Sequence, residues 1–158
     1  MMKKLVIGND HAGVDYKWEL KEYLEGKGYE VINVGSDKKE SCNYPEFGWK
    51  AACMVAAGEV DGGILICGTG VGISLAANKL DGIRCACCSE PFTAKLSKMH
   101  NNTNMLAFGA RVVGPDMAKM IVDEWLNAEF EGGGRHTKRV GMIMEIQDTQ
   151  KLDLSDEK

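Results

Sequence analysis

The chain has 158 residues, 44% hydrophobic and 27% charged, with a formal net charge of −4. That length suits one domain that buries its own core, and the acidic balance argues against a nucleic acid or a membrane surface as partner. The apolar run Leu5–Ile7 is too short for a secretion signal or a membrane span, so a cytoplasmic location is the expectation and the six cysteines are expected as free thiols.

Short β-rich runs alternate with helical patterns, which predicts a parallel sheet with helical crossovers. The first strand is expected over Lys4–Asn9. A helix follows over Val14–Gly26, with Tyr16, Leu20, Tyr23 and Leu24 on one stripe. The second strand is expected over Glu30–Val34, and Pro45 opens the next helix at a first-turn position. Gly63–Cys67 reads as a third strand, apolar throughout, as a strand covered on both faces should be. A glycine-rich turn and a helix to about Lys79 follow.

Arg84–Cys88 is the expected fourth strand, and Pro91 starts a helix running toward His100. Met105–Gly109 is the fifth strand. Pro115 starts a helix with Ala118, Ile121, Val122 and Trp125 on one stripe. Gly132–Gly134 reads as a hinge before a last helix carrying Val140, Ile143 and Met144. Residues 1–147 are expected to form one α/β domain, a three-layer α/β/α sandwich with strand order 2-1-3-4-5. Residues 148–158 read as a polar, flexible tail. One change of crossover direction would put the loops after strands one and three opposite each other, where such sheets bind ligands.

The loop after strand three is Cys67-Gly68-Thr69-Gly70-Val71-Gly72-Ile73-Ser74. Alternate glycines at a strand-to-helix turn allow backbone N–H groups to converge on an anion. The dinucleotide fingerprint would need glycine where Ile73 stands, and no Lys-Ser or Lys-Thr pair follows as in a nucleotide phosphate loop. A tight structural turn over a buried thiol explains the same glycines equally well. Cys67 precedes a helix N-terminus, a position expected to favour thiolate and so a nucleophile or a general base.

Cys85, Cys87 and Cys88 lie inside a strand without paired zinc spacing and are read as buried core thiols. No metal cluster is expected. Asp10 and His11 sit in a strand-end loop, the position that favours function. His136, in RHTKR, keeps the ordinary reading of a surface histidine. Arg135 and Arg139 are four apart, on one helical face, and suit a phosphate or simply a solvated basic face. Arg111 follows strand five and could reach the same crevice.

The segments GNDHAG at 8–13, VDGGILICGTGVGISLAANK at 60–79, HNNTNMLAFGARVVG at 100–114 and EGGGRHTKRV at 131–140 closely resemble the type B ribose-5-phosphate isomerases. That family also includes allose- and galactose-6-phosphate isomerases. The resemblance covers about residues 3–146. It implies a Rossmann-like sandwich, a homodimer or homotetramer, a sugar-phosphate substrate and no metal or other cofactor. It implies that Cys67 moves a proton between C1 and C2, and that Thr69 and the loop N–H groups, from Gly68, Gly70, Val71 and Gly72 to Ser74, hold substrate and the enediolate oxygen. His100 would be the acid, and Asp10 would help open the sugar ring. His11, Asn101, Arg111, Arg135 and Arg139 would bind substrate, chiefly its phosphate. The extra glycine in EGGGR departs from the family pattern and bears on the reach of Arg135.

Isomerisation requires a base and an oxyanion site, and one loop holding a thiolate beside convergent N–H donors supplies both. Six-carbon sugar phosphates are the rival substrates. A flavodoxin-like binder of flavin or nucleotide is the rival of a different class, but GNDHAG offers no hydroxyl-rich phosphate cradle. A sugar-phosphate sensor without turnover is opposed by the presence of both Cys67 and His100.

Overall fold

The structure, a computed structural model, describes residues 4–152. Apolar residues alternate along its strands and build a core on each face of the sheet. The strands are β1 (Lys4–Asn9), β2 (Glu30–Asn33), β3 (Gly62–Cys67), β4 (Cys85–Cys87) and β5 (Met105–Gly109). The helices are α1 (Val14–Gly26), α2 (Tyr44–Ala56), α3 (Val71–Ala77), α4 (Pro91–Asn101), α5 (Pro115–Asn127) and α6 (Arg135–Thr149). Pro45, Pro91 and Pro115 stand in the first turns of their helices, where a missing N–H costs no intrahelical bond.

All strands pair in parallel, in the order β2-β1-β3-β5-β4. The sandwich is the expected one, but the last two strands are exchanged relative to the sequence expectation. The reason is burial. Strand β5 is five residues, all buried, and fits an interior place; β4 is three residues, none fully buried, and fits an edge. Sequence order alone carries no such distinction.

The order also decides which face each helix covers, because parallel crossovers are right-handed. The crossovers β1 to β2 and β4 to β5 run in one direction across the sheet. They place α1 and α4 on the same face, joined there by α5. The crossovers β2 to β3 and β3 to β4 run the other way and place α2 and α3 opposite. The cores follow this division. Leu5, Ile7, Ile64, Ile66, Leu106 and Phe108 pack with Leu20, Leu24, Ala94, Ile121 and Trp125. Val6, Leu65, Cys67, Met105 and Ala107 pack with Ala51, Ala52, Val55, Ile73 and Ala77. Cys67 therefore ends its strand facing α2 and α3.

Helix α6 runs through Thr149, so the start of the expected tail is helical, and residues 153–158 lie outside the described region. No residue of α6 is fully buried. It is tied to the body by polar contacts. Gln147 Nε2 donates to Leu80 O (3.0 Å), and Gly82 N–H donates to Gln147 Oε1 (3.3 Å). No helix among the described residues is long and apolar enough to cross a membrane.

The end of α4 is fixed by a small polar network. Trp125 Nε1 donates to Thr103 Oγ1 (2.8 Å), which also pairs with Ser97 Oγ (3.0 Å). Lys98 Nζ donates to Thr103 O (2.9 Å) and lies 5.1 Å from the Trp125 ring centre. Burial, and then the charge of Arg84, push the Lys98 ammonium down to about 8. Below that pH the folded state holds a charge it disfavours. Between about pH 8 and the unfolded value of 10.5, the unfolded chain binds more protons, so stability rises with pH there. Urea unfolding from pH 7.5 to 10 should show this rise in the wild type, and the Lys98→Met variant should lack it.

Candidate active site

Three strand ends converge at the carboxyl edge of the sheet, those of β1, β3 and β5. Asp10 N–H donates to Ile66 O (3.1 Å), which joins the first loop to the end of β3. Ala110 N–H donates to Cys67 O (2.9 Å) and Arg111 N–H to Gly68 O (3.1 Å), which joins the third loop to the glycine turn. The three loops form one floor.

Cys67 is 4% exposed, and Gly70 N–H donates to its Sγ at 3.1 Å. That donor is aimed where an anionic sulfur would use it. Gly70 makes the geometry possible. Its φ is +81°, and a Cβ there would lie 2.6 Å from the backbone carbon of Phe108. Gly72 has a different reason, since a Cβ there would lie 2.6 Å from the Tyr44 ring. Arg111 is exposed, and its guanidinium lies over Gly68, with Nη1 3.2 Å from where a Cβ would stand. A cation thus lies beside the loop.

Thr69 is exposed, and Val71 N–H donates to its Oγ1 at 3.4 Å. Ser74 is buried and turned back into its helix, donating from Oγ to Val71 O at 2.8 Å. Asp10 is 5% exposed and accepts from Ala12 N–H at 2.9 Å through Oδ1. His11 Nδ1 lies 3.9 Å from Asp10 Oδ2 and accepts from Cys42 N–H at 3.4 Å.

The reading of the strand-four cysteines as core thiols holds for Cys88, which is buried, but not for Cys87, which is exposed. The edge position of β4 is the cause. Cys87 Sγ lies 3.7 Å from Thr69 O, beside the glycine loop. Burial, followed by the nearness of Cys67, pushes the Cys87 thiol up. Burial also pushes Cys88 up to about 12 and Cys85 further still.

The remaining candidates gather elsewhere. Helix α4 runs antiparallel to the strands and delivers His100 and Asn101 to the amino edge of the sheet. Strand register aligns Cys67 with Gly109 and Gly63 with Met105. The four-residue rise from Met105 to Gly109 separates the two edges by about 13 Å. The His100 ring stacks on His136, with centroids 4.2 Å apart and planes 5° apart. Arg135 and Arg139 are exposed on the first turns of α6 beside them. The candidate residues therefore fall into two groups, a candidate half-site around Cys67 and another around His100.

The second half-site contains residues that sequence reasoning passed over. Glu131 Oε2 lies 3.8 Å from His100 Nε2 and 3.7 Å from His136 Nε2. These three side chains form a ligand-type cluster, where the sequence expectation was none. Their separations along the chain, 31 and 5 positions, match no metal motif, so only folding reveals them.

A sequence profile of the Ribose/Galactose Isomerase family matches residues 5–143. Ribose-5-phosphate isomerase B of Escherichia coli (strain K12) is 56% identical over 146 residues, covering 92% of this chain and 97% of that protein. D-erythrulose-4-phosphate isomerase of Pectobacterium atrosepticum is 41% identical, over 87% of this chain and 91% of that protein. The solved structure of Clostridium thermocellum ribose-5-phosphate isomerase B superposes with a TM-score of 0.91 at 53% identity, covering 94% of this chain and 99% of that one. The fold and these likenesses agree: the chain belongs to the ribose/galactose isomerase family, together with the type B ribose-5-phosphate isomerases.

Proposed function

We propose that this protein interconverts ribose 5-phosphate and ribulose 5-phosphate, an aldose–ketose step of pentose phosphate metabolism. The observation that carries this reading is the Cys67 sulfur held 3.1 Å from the Gly70 N–H, in a loop flanked by Arg111. The 56% identity to a protein named ribose-5-phosphate isomerase B supports the five-carbon substrate.

The chemistry needs no net redox change. The Cys67 thiolate removes the proton from C2 of the open-chain aldose, and the C2 electrons move into the C1–C2 bond as the carbonyl oxygen becomes anionic. Thr69 and the N–H groups of Gly68 and Gly72 hold that enediolate, while the Gly70 N–H holds the Cys67 sulfur and the Val71 N–H orients Thr69 Oγ1. A proton passes from the C2 hydroxyl to the C1 oxygen, and return of the abstracted proton to C1, with collapse of the C2 oxygen to a carbonyl, gives the ketose. Ser74 contributes by fixing the start of α3. Ring opening precedes this, with His100 as acid and Asp10 assisting. His11, Asn101, Arg111, Arg135 and Arg139 bind substrate, and the arginines take the phosphate.

The two half-sites become one site when a second copy brings its His100 and Asn101, with its Arg135 and Arg139, to the Cys67 loop. A homodimer is the smallest assembly that does this, and a homotetramer of two such dimers does it equally.

A coupled assay with ribose 5-phosphate tests the reading, and absence of turnover overturns it. Arg135→Ala and Arg139→Ala should each raise KM by about 10-fold or more, the loss of a charge-assisted contact. Unphosphorylated ribose should be a poor substrate, little worsened by either change. Equal losses on both sugars would assign the arginines a structural part instead.

A further inference from the structure

We propose that His100, Glu131 and His136 form a binding site for a divalent transition-metal ion of the zinc type, and that an ion bound there blocks isomerisation. The inhibitory half rests on the isomerase reading; the binding half does not.

Donor type comes first. Two imidazole nitrogens and one carboxylate oxygen suit zinc and its neighbours, and three protein ligands leave a fourth position for water. The ligand atoms all lie within 4.8 Å of one another. Metal–ligand bonds of about 2.0–2.2 Å in a tetrahedron put neighbouring ligand atoms about 3.3–3.6 Å apart. Glu131 Oε2 already lies 3.8 Å and 3.7 Å from the two Nε2 atoms. The rings are stacked nearly parallel, with both Nε2 atoms close to the one carboxylate oxygen. Binding opens the stack: each ring turns by about 50–55°, half the tetrahedral angle, so that the two in-plane lone pairs meet at the ion.

The cluster is held by backbone. Glu131 N–H donates to Met99 O at 2.8 Å, which pins the connection before α6 against the last turn of α4. His100 is on that turn, and His136 is on the first turn of α6 with 11% of its side chain exposed. A neutral imidazole is the form that ligates.

Other features set the strength. Arg135 and Arg139 lie on the same helix and repel a cation, and Arg135 Nε donates to His136 Nε2 at 3.4 Å, a contact that the ion displaces. Glu131 is the only carboxylate in the cluster. The site therefore suits weaker, reversible binding and not a permanently held structural ion. The ion acts by occupying the lone pair of His100, the acid for ring opening.

The test uses full-length, chelator-stripped protein without a purification tag. Zinc is titrated calorimetrically, and Co²⁺ serves as a visible probe of tetrahedral nitrogen and oxygen ligation. One ion should bind per chain. Glu131→Gln and His136→Gln should each weaken binding by about tenfold or more, while Cys67→Ala should leave it intact. Loss in Cys67→Ala with retention in the other two would place the ion on the thiol and overturn the proposal, as would no binding to the wild type. In the isomerase assay, zinc should inhibit the wild type with the midpoint seen in calorimetry, and that midpoint should move up in Glu131→Gln. Binding without inhibition would overturn the inhibitory half. Binding by a chain that shows no isomerase turnover at all would overturn the functional reading and leave the metal site standing.

Discussion

Cys67→Ala should lose isomerase turnover by about 10²–10⁴-fold or more, the contribution of a positioned base, while keeping its fold. The fold should survive because the change removes one sulfur from a packed site, a loss of about 1 kcal/mol on the scale of a buried methylene. The neighbours Leu65, Ile73 and Ala77 still close the core on that face. Substrate binding should also survive, since Arg111, the loop N–H groups and the other half-site do not depend on sulfur. Cys67→Ser should be nearly as poor, because a serine hydroxyl without an adjacent base supplies almost no anion at neutral pH. Iodoacetate should inactivate the wild type, and substrate should protect it. Peptide mapping should locate the label on Cys67 and not on Cys85 or Cys88, whose thiols burial holds far from ionisation. Near-normal turnover in the alanine variant would remove Cys67 from the mechanism.

The elements themselves were legible because their signals are local. The bounds of β1, α1 and β5 are those expected from apolar periodicity, and each helix-opening proline stands in a first turn. The half-site around Cys67 was legible for a related reason. Parallel sheets collect their loops at the carboxyl edge, so knowing the strand ends is enough to bring Asp10, His11, Cys67 and Arg111 near one another. Strand order was not legible, because it depends on the relative burial of β4 and β5, a tertiary property. The partnership of His100 with Glu131 and His136 was hidden in the same way. It is made by the docking of α6 on α4, two helices separated by all of α5, and no pattern in the sequence encodes that contact. The exposure of Cys87 follows from the edge position of β4 and was lost with the strand order.

Mixing two inactive variants should restore activity. Cys67→Ala and His100→Ala should each be nearly inactive alone, and unfolding and reassembling them as an equal mixture should recover about a quarter of wild-type activity. The number follows from pairing. Half of randomly formed dimers are mixed, and in each mixed dimer one site combines an intact Cys67 with an intact His100 while the other carries both lesions. The structure changes the reason for expecting this. With β5 beside β3, no strand separates His100 from Cys67 laterally. The separation runs instead along the strands: α4 carries His100 to the amino edge, while Cys67 ends β3 at the carboxyl edge, about 13 Å away by strand rise alone. A proton donor must come within hydrogen-bond reach of the atom it serves, directly or through one water. Neither route spans that distance within one chain, whereas an isologous pair repeats a His100-to-Cys67 approach twice. The apolar side chains exposed beside the Cys67 loop fit the same arrangement. Tyr44, Trp49, Val71 and Leu75 are 41–59% exposed on α2 and α3, an area that a second copy would cover. If both residues serve one chain, every site in the mixture carries a lesion, and activity stays at the level of the single variants.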